Sequence, residues 1–185
     1  MKTRNFVVSL LMILVLVSCK DEKDSKTPVE DKNEIKETFD VSFNLIIPKD
    51  DTFQLYYTED GSLNFGDERS VKSVVKGSGQ AQDLLFKLPA DVLPTYIRLD
   101  FGQNPEQENI LINSMTFKYH DKTYNVGYGN GQETLNHFFY YKDGHVKYDE
   151  ATHTIILLKP KDQPFDPYMW SNQLVLEQME KLYKK

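Results

Sequence analysis

Hydrophobic and polar positions follow three different patterns along this chain. From Phe6 to Val17 the residues are nearly all apolar. Residues 20–38 then carry charges, Pro28 and no apolar period, which predicts a flexible linker. From Phe39 apolar and polar positions alternate. Val41, Phe43, Leu45 and Ile47 share one face, Ser42 and Asn44 the other, and Pro48 ends the run. That two-residue period predicts a half-buried strand.

Further strands are predicted at Phe53–Thr58, closed by Glu59-Asp60-Gly61, and at Val71–Val75, leading into Gly77-Ser-Gly79. Asp83–Leu88 is stopped by Pro89. Tyr96–Phe101 alternates again, with Arg98 and Asp100 on one face and Ile97, Leu99 and Phe101 on the other. Ile110–Tyr119 is the longest candidate, and His120-Asp121-Lys122 offers a tight turn into Thr123–Val126. His145–Tyr148 and Thr152–Leu158 flank Asp149-Glu150-Ala151. Short strands at this spacing, without intervening helices, predict a mainly β fold. It is an antiparallel two-sheet sandwich of about eight or nine strands. Only the last segment has a helical period. Leu174, Val175, Gln178, Met179, Leu182 and Tyr183 share a face, Ser171 is placed to cap, and Lys181, Lys184 and Lys185 suit the C-terminal dipole. A C-terminal amphipathic helix is therefore predicted over about 171–184.

The first apolar run is twelve residues, too short to cross a hydrocarbon core of about 30 Å. Preceded by Lys2 and Arg4, it reads as the hydrophobic region of an export signal. The only Cys follows at once, in Leu16-Val17-Ser18-Cys19. This resembles the bacterial lipoprotein signal, in which an apolar residue and small or tolerated residues precede the lipid-modified Cys. The resemblance implies a signal peptide over 1–18, cleavage before Cys19, acyl chains on Cys19 and an outer-membrane anchor. Each buried CH₂ of such chains contributes about 0.8 kcal/mol. Loss of Lys2 and Arg4 would take the formal charge from −6 to −8. Lys20-Asp21-Glu22-Lys23-Asp24-Ser25 resembles the surface-export tag of certain Gram-negative lipoproteins, which implies display at the cell exterior. The same run also reads as a solvated tether over 19–38. One sandwich domain would then fill 39–185.

The stretches Phe53–Thr58, Phe86–Pro89, Ile97–Gly102 and Ile110–Met115 together resemble a jelly-roll-type accessory module of bacterial cell-envelope and sugar-handling proteins. The likeness implies a jelly-roll-like fold, and with it room for a structural calcium ion. It says little about function, because such folds host many.

Composition removes several classes. With 22 Lys+Arg against 28 Asp+Glu, the chain lacks the cationic surplus that nucleic acid requires. A single Cys excludes an intrachain disulfide and a Cys-based zinc cluster. The sequence contains no Gly-x-Ser-x-Gly elbow, no His-Glu-x-x-His, no phosphate loop and no EF-hand pattern. Gly127-Tyr-Gly-Asn-Gly131 lacks the Lys-Ser/Thr ending of a nucleotide loop and reads as a turn. Asp60, Asp67 and Glu68 have no evident partner acid. Of the histidines, His120, His137, His145 and His153, only His145 and His153 could meet, across a hairpin, and zinc needs more ligands than two. The expectation is no catalytic residue, no metal and no cofactor beyond the lipid.

Aromatic residues are the remaining signal, with 11 Tyr, 11 Phe and 1 Trp. They cluster at Tyr56-Tyr57, Phe138-Phe-Tyr-Tyr141 and Tyr168-Met-Trp170, where neighbours on a strand point to opposite faces. Outward rings can stack on the C–H faces of sugars. Tyr57, Tyr128, Tyr140, Tyr141 and Trp170 are the candidate glycan-binding residues. The expected function is a non-catalytic surface lipoprotein binding a glycan or other envelope polymer. The alternative is an interaction subunit of an outer-membrane protein complex.

Overall fold

A computed structural model describes residues 37–127 and 134–184. Its first six strands are β1 (Phe39–Ile46), β2 (Asp51–Thr58), β3 (Ser70–Val75), β4 (Gln82–Lys87), β5 (Tyr96–Asp100) and β6 (Ile110–Tyr119). They pair in a nested order: β1 with β6 in one sheet, and β2 with β5 in the other. β4 lies on the far side of β1, and β3 on the far side of β2. The strands thus form two antiparallel sheets, the two-sheet sandwich that the sequence suggested. The chain continues through β7 (Lys122–Gly127), the one-turn α1 (Leu135–Phe138), β8 (Phe139–Tyr141), β9 (Val146–Asp149), β10 (Thr154–Leu157) and β11 (Tyr168–Ser171). It ends in α2 (Gln173–Tyr183). One sheet runs β4-β1-β6-β10-β9 with β7 also on β6, the other β3-β2-β5-β11-β8, and all pairs are antiparallel.

Burial follows the alternation. In β1 every second residue is buried, and in β5 Ile97 and Leu99 point inward. A single apolar cluster fills the space between the sheets, with Phe43, Phe53, Phe86, Phe101 and Phe117 fully enclosed. Phe43 meets Phe86 edge-on, as Phe53 meets Phe101. The β1–β6 register shifts between Asn44 and Leu45, leaving Asn113 as an extra residue opposite that step. Its amide donates to Asn44 Oδ1 at 2.8 Å, and Asn44 donates to Asp83 Oδ1 at 2.6 Å, so polar side chains bridge the irregular point. Tyr119 pairs with Lys122 across the predicted turn, where His120 takes a left-handed φ of 53°.

Helix α2 packs against β11 in one sheet and against β6 and β7 in the other. It buries Val175, Met179 and Leu182, while the Tyr183 ring meets Phe39 and Tyr119. The predicted cap moves by one residue. Asn172 caps the helix, accepting from the N–H groups of Leu174 and Val175, whereas Ser171 belongs to β11. The buried Ser171 Oγ instead accepts from Ile97 N at 3.0 Å, tying β11 to β5. Among the described residues, no helix is long and apolar enough to cross a membrane.

Two strands, β8 and β11, escaped the sequence reading. Each is at most four residues long, and Pro160, Pro164 and Pro167 precede β11. Tertiary pairing, not local pattern, makes them strands. The pair His145 and His153 is also corrected. Leu157 faces Val146 and Thr154 faces Asp149, which puts the two histidines at opposite ends of the β9–β10 hairpin.

Candidate functional site

The outer face of the β3-β2-β5-β11-β8 sheet concentrates polar and aromatic side chains. Since Ile97 and Leu99 enter the core, Arg98 and Asp100 must point outward. Register places Tyr56 beside Arg98, Arg98 beside Trp170, and Trp170 beside Tyr140. A second row runs from Lys72 to Gln54, Asp100 and Tyr168. Five strands therefore contribute to one continuous band.

At its centre Arg98 binds Asp100 through two bonds, Nε–H and Nη2–H each donating at 2.7 Å. Side-chain exposures are 21% and 16%, so water screens the pair only partly. The guanidinium lies 3.8 Å from the Tyr168 ring centroid and 4.9 Å from that of Tyr56. These ring contacts and the bidentate pair fix its plane. Burial opposes the charge on Arg98, but Asp100 more than offsets that and raises its pKa. At Asp100 burial wins, against the attraction of Arg98, and pushes the carboxyl up to about 6. Burial, then the hydrogen bond to Asp67, pushes the Tyr56 phenol up to about 12. Lys142 reaches Asp166 and also lies 4.8 Å over the Tyr168 ring.

Two depressions, of about 410 and 400 Å³, flank Arg98. The first is polar, with Gln54, Tyr56, Lys72, Asp100 and Asp166 in its lining. The second is bounded by Leu63, Asn64 and Phe65 from the β2–β3 loop and by Tyr168 and Trp170 from β11. The Trp170 ring meets Tyr140 across the strand pair and Tyr168 along its own strand, each at 5.8 Å and tilted.

Gly102, where β5 leaves the sheet, borders the polar depression with a φ of 84°. A Cβ there would lie 2.1 Å from Asp51 Oδ1. That carboxylate accepts from the N–H groups of Thr52, Gln103 and Asn104. Gly102→Ala should destabilise the fold by about 2 kcal/mol, adding left-handed strain to weakened charge-assisted bonds. Urea unfolding measures this, and a loss of only about 1 kcal/mol, the left-handed strain alone, would show that Asp51 yields freely.

Not all candidate rings face this band. Tyr57 is 5% exposed and belongs to the core, in phase with Phe53 and Leu55, so Tyr56 takes the outward place. Tyr141 points inward beside Met169 and stacks on Tyr148 at 5.8 Å. Tyr140, 56% exposed, and Trp170 do lie on the band. Cys19, Lys20, Asp21, Glu22 and Tyr128 fall outside the described residues. The sequence reading missed Gln54, Asn64, Phe65 and Tyr168. Only Gln54 and Tyr168 carried a signal, their phase relative to buried Leu55 and Met169. Among the described residues, no group of three or more His, Cys, Asp or Glu side chains is placed to hold a metal ion. Comparison with known protein families, with curated proteins and with solved structures finds no match for this chain.

Proposed function

We propose that this chain is a non-catalytic, surface-anchored lipoprotein whose β3-β2-β5-β11-β8 face binds a glycan. The observation that supports it best is the outward band Tyr56–Arg98–Trp170–Tyr140, with a depression on each side of Arg98. Aromatic faces match the C–H faces of pyranose rings, and the polar rim offers donors and acceptors to hydroxyls. The reading assigns no catalytic residue, metal or cofactor apart from the lipid on Cys19. Lys20, Asp21 and Glu22 form its export tag, and the outer membrane is its anchor.

The decisive experiment is a glycan array probed with the full-length protein, followed by calorimetry on any ligand found. Trp170→Ala should weaken binding by about 1–3 kcal/mol, the range for a base stacked on an aromatic side chain. Unchanged affinity would remove the band from the reading. Lipidation is tested separately. Cys19→Ser should leave the precursor uncleaved or release the protein from the membrane fraction. Normal processing and membrane retention would refute the anchor. The interaction-subunit reading has its own support in Val74 and Leu85, exposed on the edge strands β3 and β4. A silent array with a reproducible envelope partner in a pull-down would favour it.

A further inference from the structure

Resting on the glycan reading of this same face, we propose a specific ligand class: a neutral oligosaccharide of at least two pyranose units. One unit sits in the depression lined by Phe65 and Trp170, the chain runs over Arg98 toward Gln54, and the Arg98–Asp100 pair discriminates against uronic acids.

Arginine ordinarily recognises a carboxylate through two parallel N–H bonds. Here Asp100 already occupies that geometry, and the rings of Tyr56 and Tyr168 keep the guanidinium from turning to another acid. A guanidinium has five N–H donors. The two given to Asp100 leave three for hydroxyl or ring oxygens. The pair as a whole is neutral, and Lys142 is engaged by Asp166. Along the polar depression Asp100 and Asp166 are already paired with Arg98 and Lys142, and Asp51 accepts from the N–H groups of Thr52, Gln103 and Asn104, so an incoming uronate would shed its water without gaining a two-bond partner. A neutral sugar has no such charge to desolvate.

The second depression offers complementary chemistry. Phe65 and Trp170 supply apolar ring surface. Among the described residues, nothing occupies the Asn64 carboxamide or the Trp170 indole N–H, so both remain for sugar hydroxyls. Each depression falls near the lower end of the range for small-ligand sites, about 300–1,000 Å³. They meet at Arg98, so a ligand that fills both needs more than one ring.

Trp170 is the only tryptophan, and its emission reports on this depression alone. The full-length protein, at about pH 8 where Asp100 is ionised, is titrated with cellopentaose, mannopentaose and penta-N-acetylchitopentaose. The corresponding monosaccharides and tetragalacturonate complete the set, and calorimetry runs in parallel. At least one neutral pentasaccharide should shift Trp170 emission and bind about tenfold tighter than its monosaccharide and than tetragalacturonate. Asp100→Asn should reverse the selectivity by freeing Arg98 for the uronate. Phe65→Ala should weaken the neutral ligand about tenfold while leaving the unfolding midpoint in place. If Asp100→Asn fails to fold, the selectivity of the native protein and the Phe65→Ala result decide. Wild-type preference for tetragalacturonate overturns the inference. So does calorimetric binding of a neutral probe that is indifferent to Phe65→Ala and silent in Trp170 emission, although the glycan reading then survives. Absence of calorimetric heat with every probe, together with a silent array, overturns both.

Discussion

Phe53→Ala is expected to lower the unfolding free energy by about 3–5 kcal/mol, whereas Trp170→Ala should change it by about 1 kcal/mol or less. The two rings lie on opposite faces of one sheet. Phe53 is fully enclosed and meets Phe101 edge-on at 5.9 Å, so its removal leaves a cavity among residues that cannot collapse into it. Trp170 is only half-buried and rests on other surface rings. Urea unfolding, read at constant slope, separates the two. Comparable losses in both variants would mean that Trp170 is part of the core, and its use as a binding probe would fail.

Arg98→Ala should cost about 3 kcal/mol at pH 8 and much less near pH 4. Removing one partner of a buried pair leaves an uncompensated charge, at about 3–5 kcal/mol, and partial exposure favours the low end. The pH dependence follows from Asp100. Its folded pKa of about 6 exceeds the ordinary aspartate value of 3.8, so the native state binds the proton more tightly than the unfolded chain. Stability from this group is full below about pH 4 and is lost as the pH rises through 6. A carboxylate held down by its partner behaves oppositely. Removing Arg98 raises the Asp100 carboxyl further, so the deficit of the variant grows with pH. Unfolding curves for wild type, Arg98→Ala and Asp100→Asn across this window isolate the contribution. A deficit of Arg98→Ala that is independent of pH would show that Asp100 stays charged throughout.

The parts of the fold that were legible are those with a local cause. Val41, Phe43, Leu45 and Ile47 announce β1 because one sheet face is wet and the other dry. Leu174, Val175, Met179 and Leu182 announce α2 for the corresponding reason at helical period. The helix cap was misplaced by one residue because the Ser171 hydroxyl is claimed by Ile97, distant in sequence. The site is half legible. Arg98 and Asp100 are two apart on one strand, so their shared face follows from alternation. The Tyr56 and Tyr168 rings that clamp Arg98 come from strands far away on either side in the chain. Phe65 and Asn64 lie in a loop, where no period tells which way a side chain points. Tyr57 and Tyr141 were misassigned although their phase was available, Tyr57 with Leu55 and Tyr141 with Phe139.

The nested strand order has a kinetic consequence. β1 finds its first neighbour only at Gln82–Lys87, and its register with β6 closes at Phe39 opposite Tyr119. Synthesis at about 5–20 residues per second separates those two residues by roughly 4–16 s. Until then β1 has at most β4 beside it, and the loops that must close are long, which places such a topology among the slow folders, on the order of milliseconds to seconds. Among the described strands β1 therefore waits longest for its full set of neighbours. A charge introduced at Phe43 or Leu45 should lessen aggregation of the nascent chain while destroying the folded one.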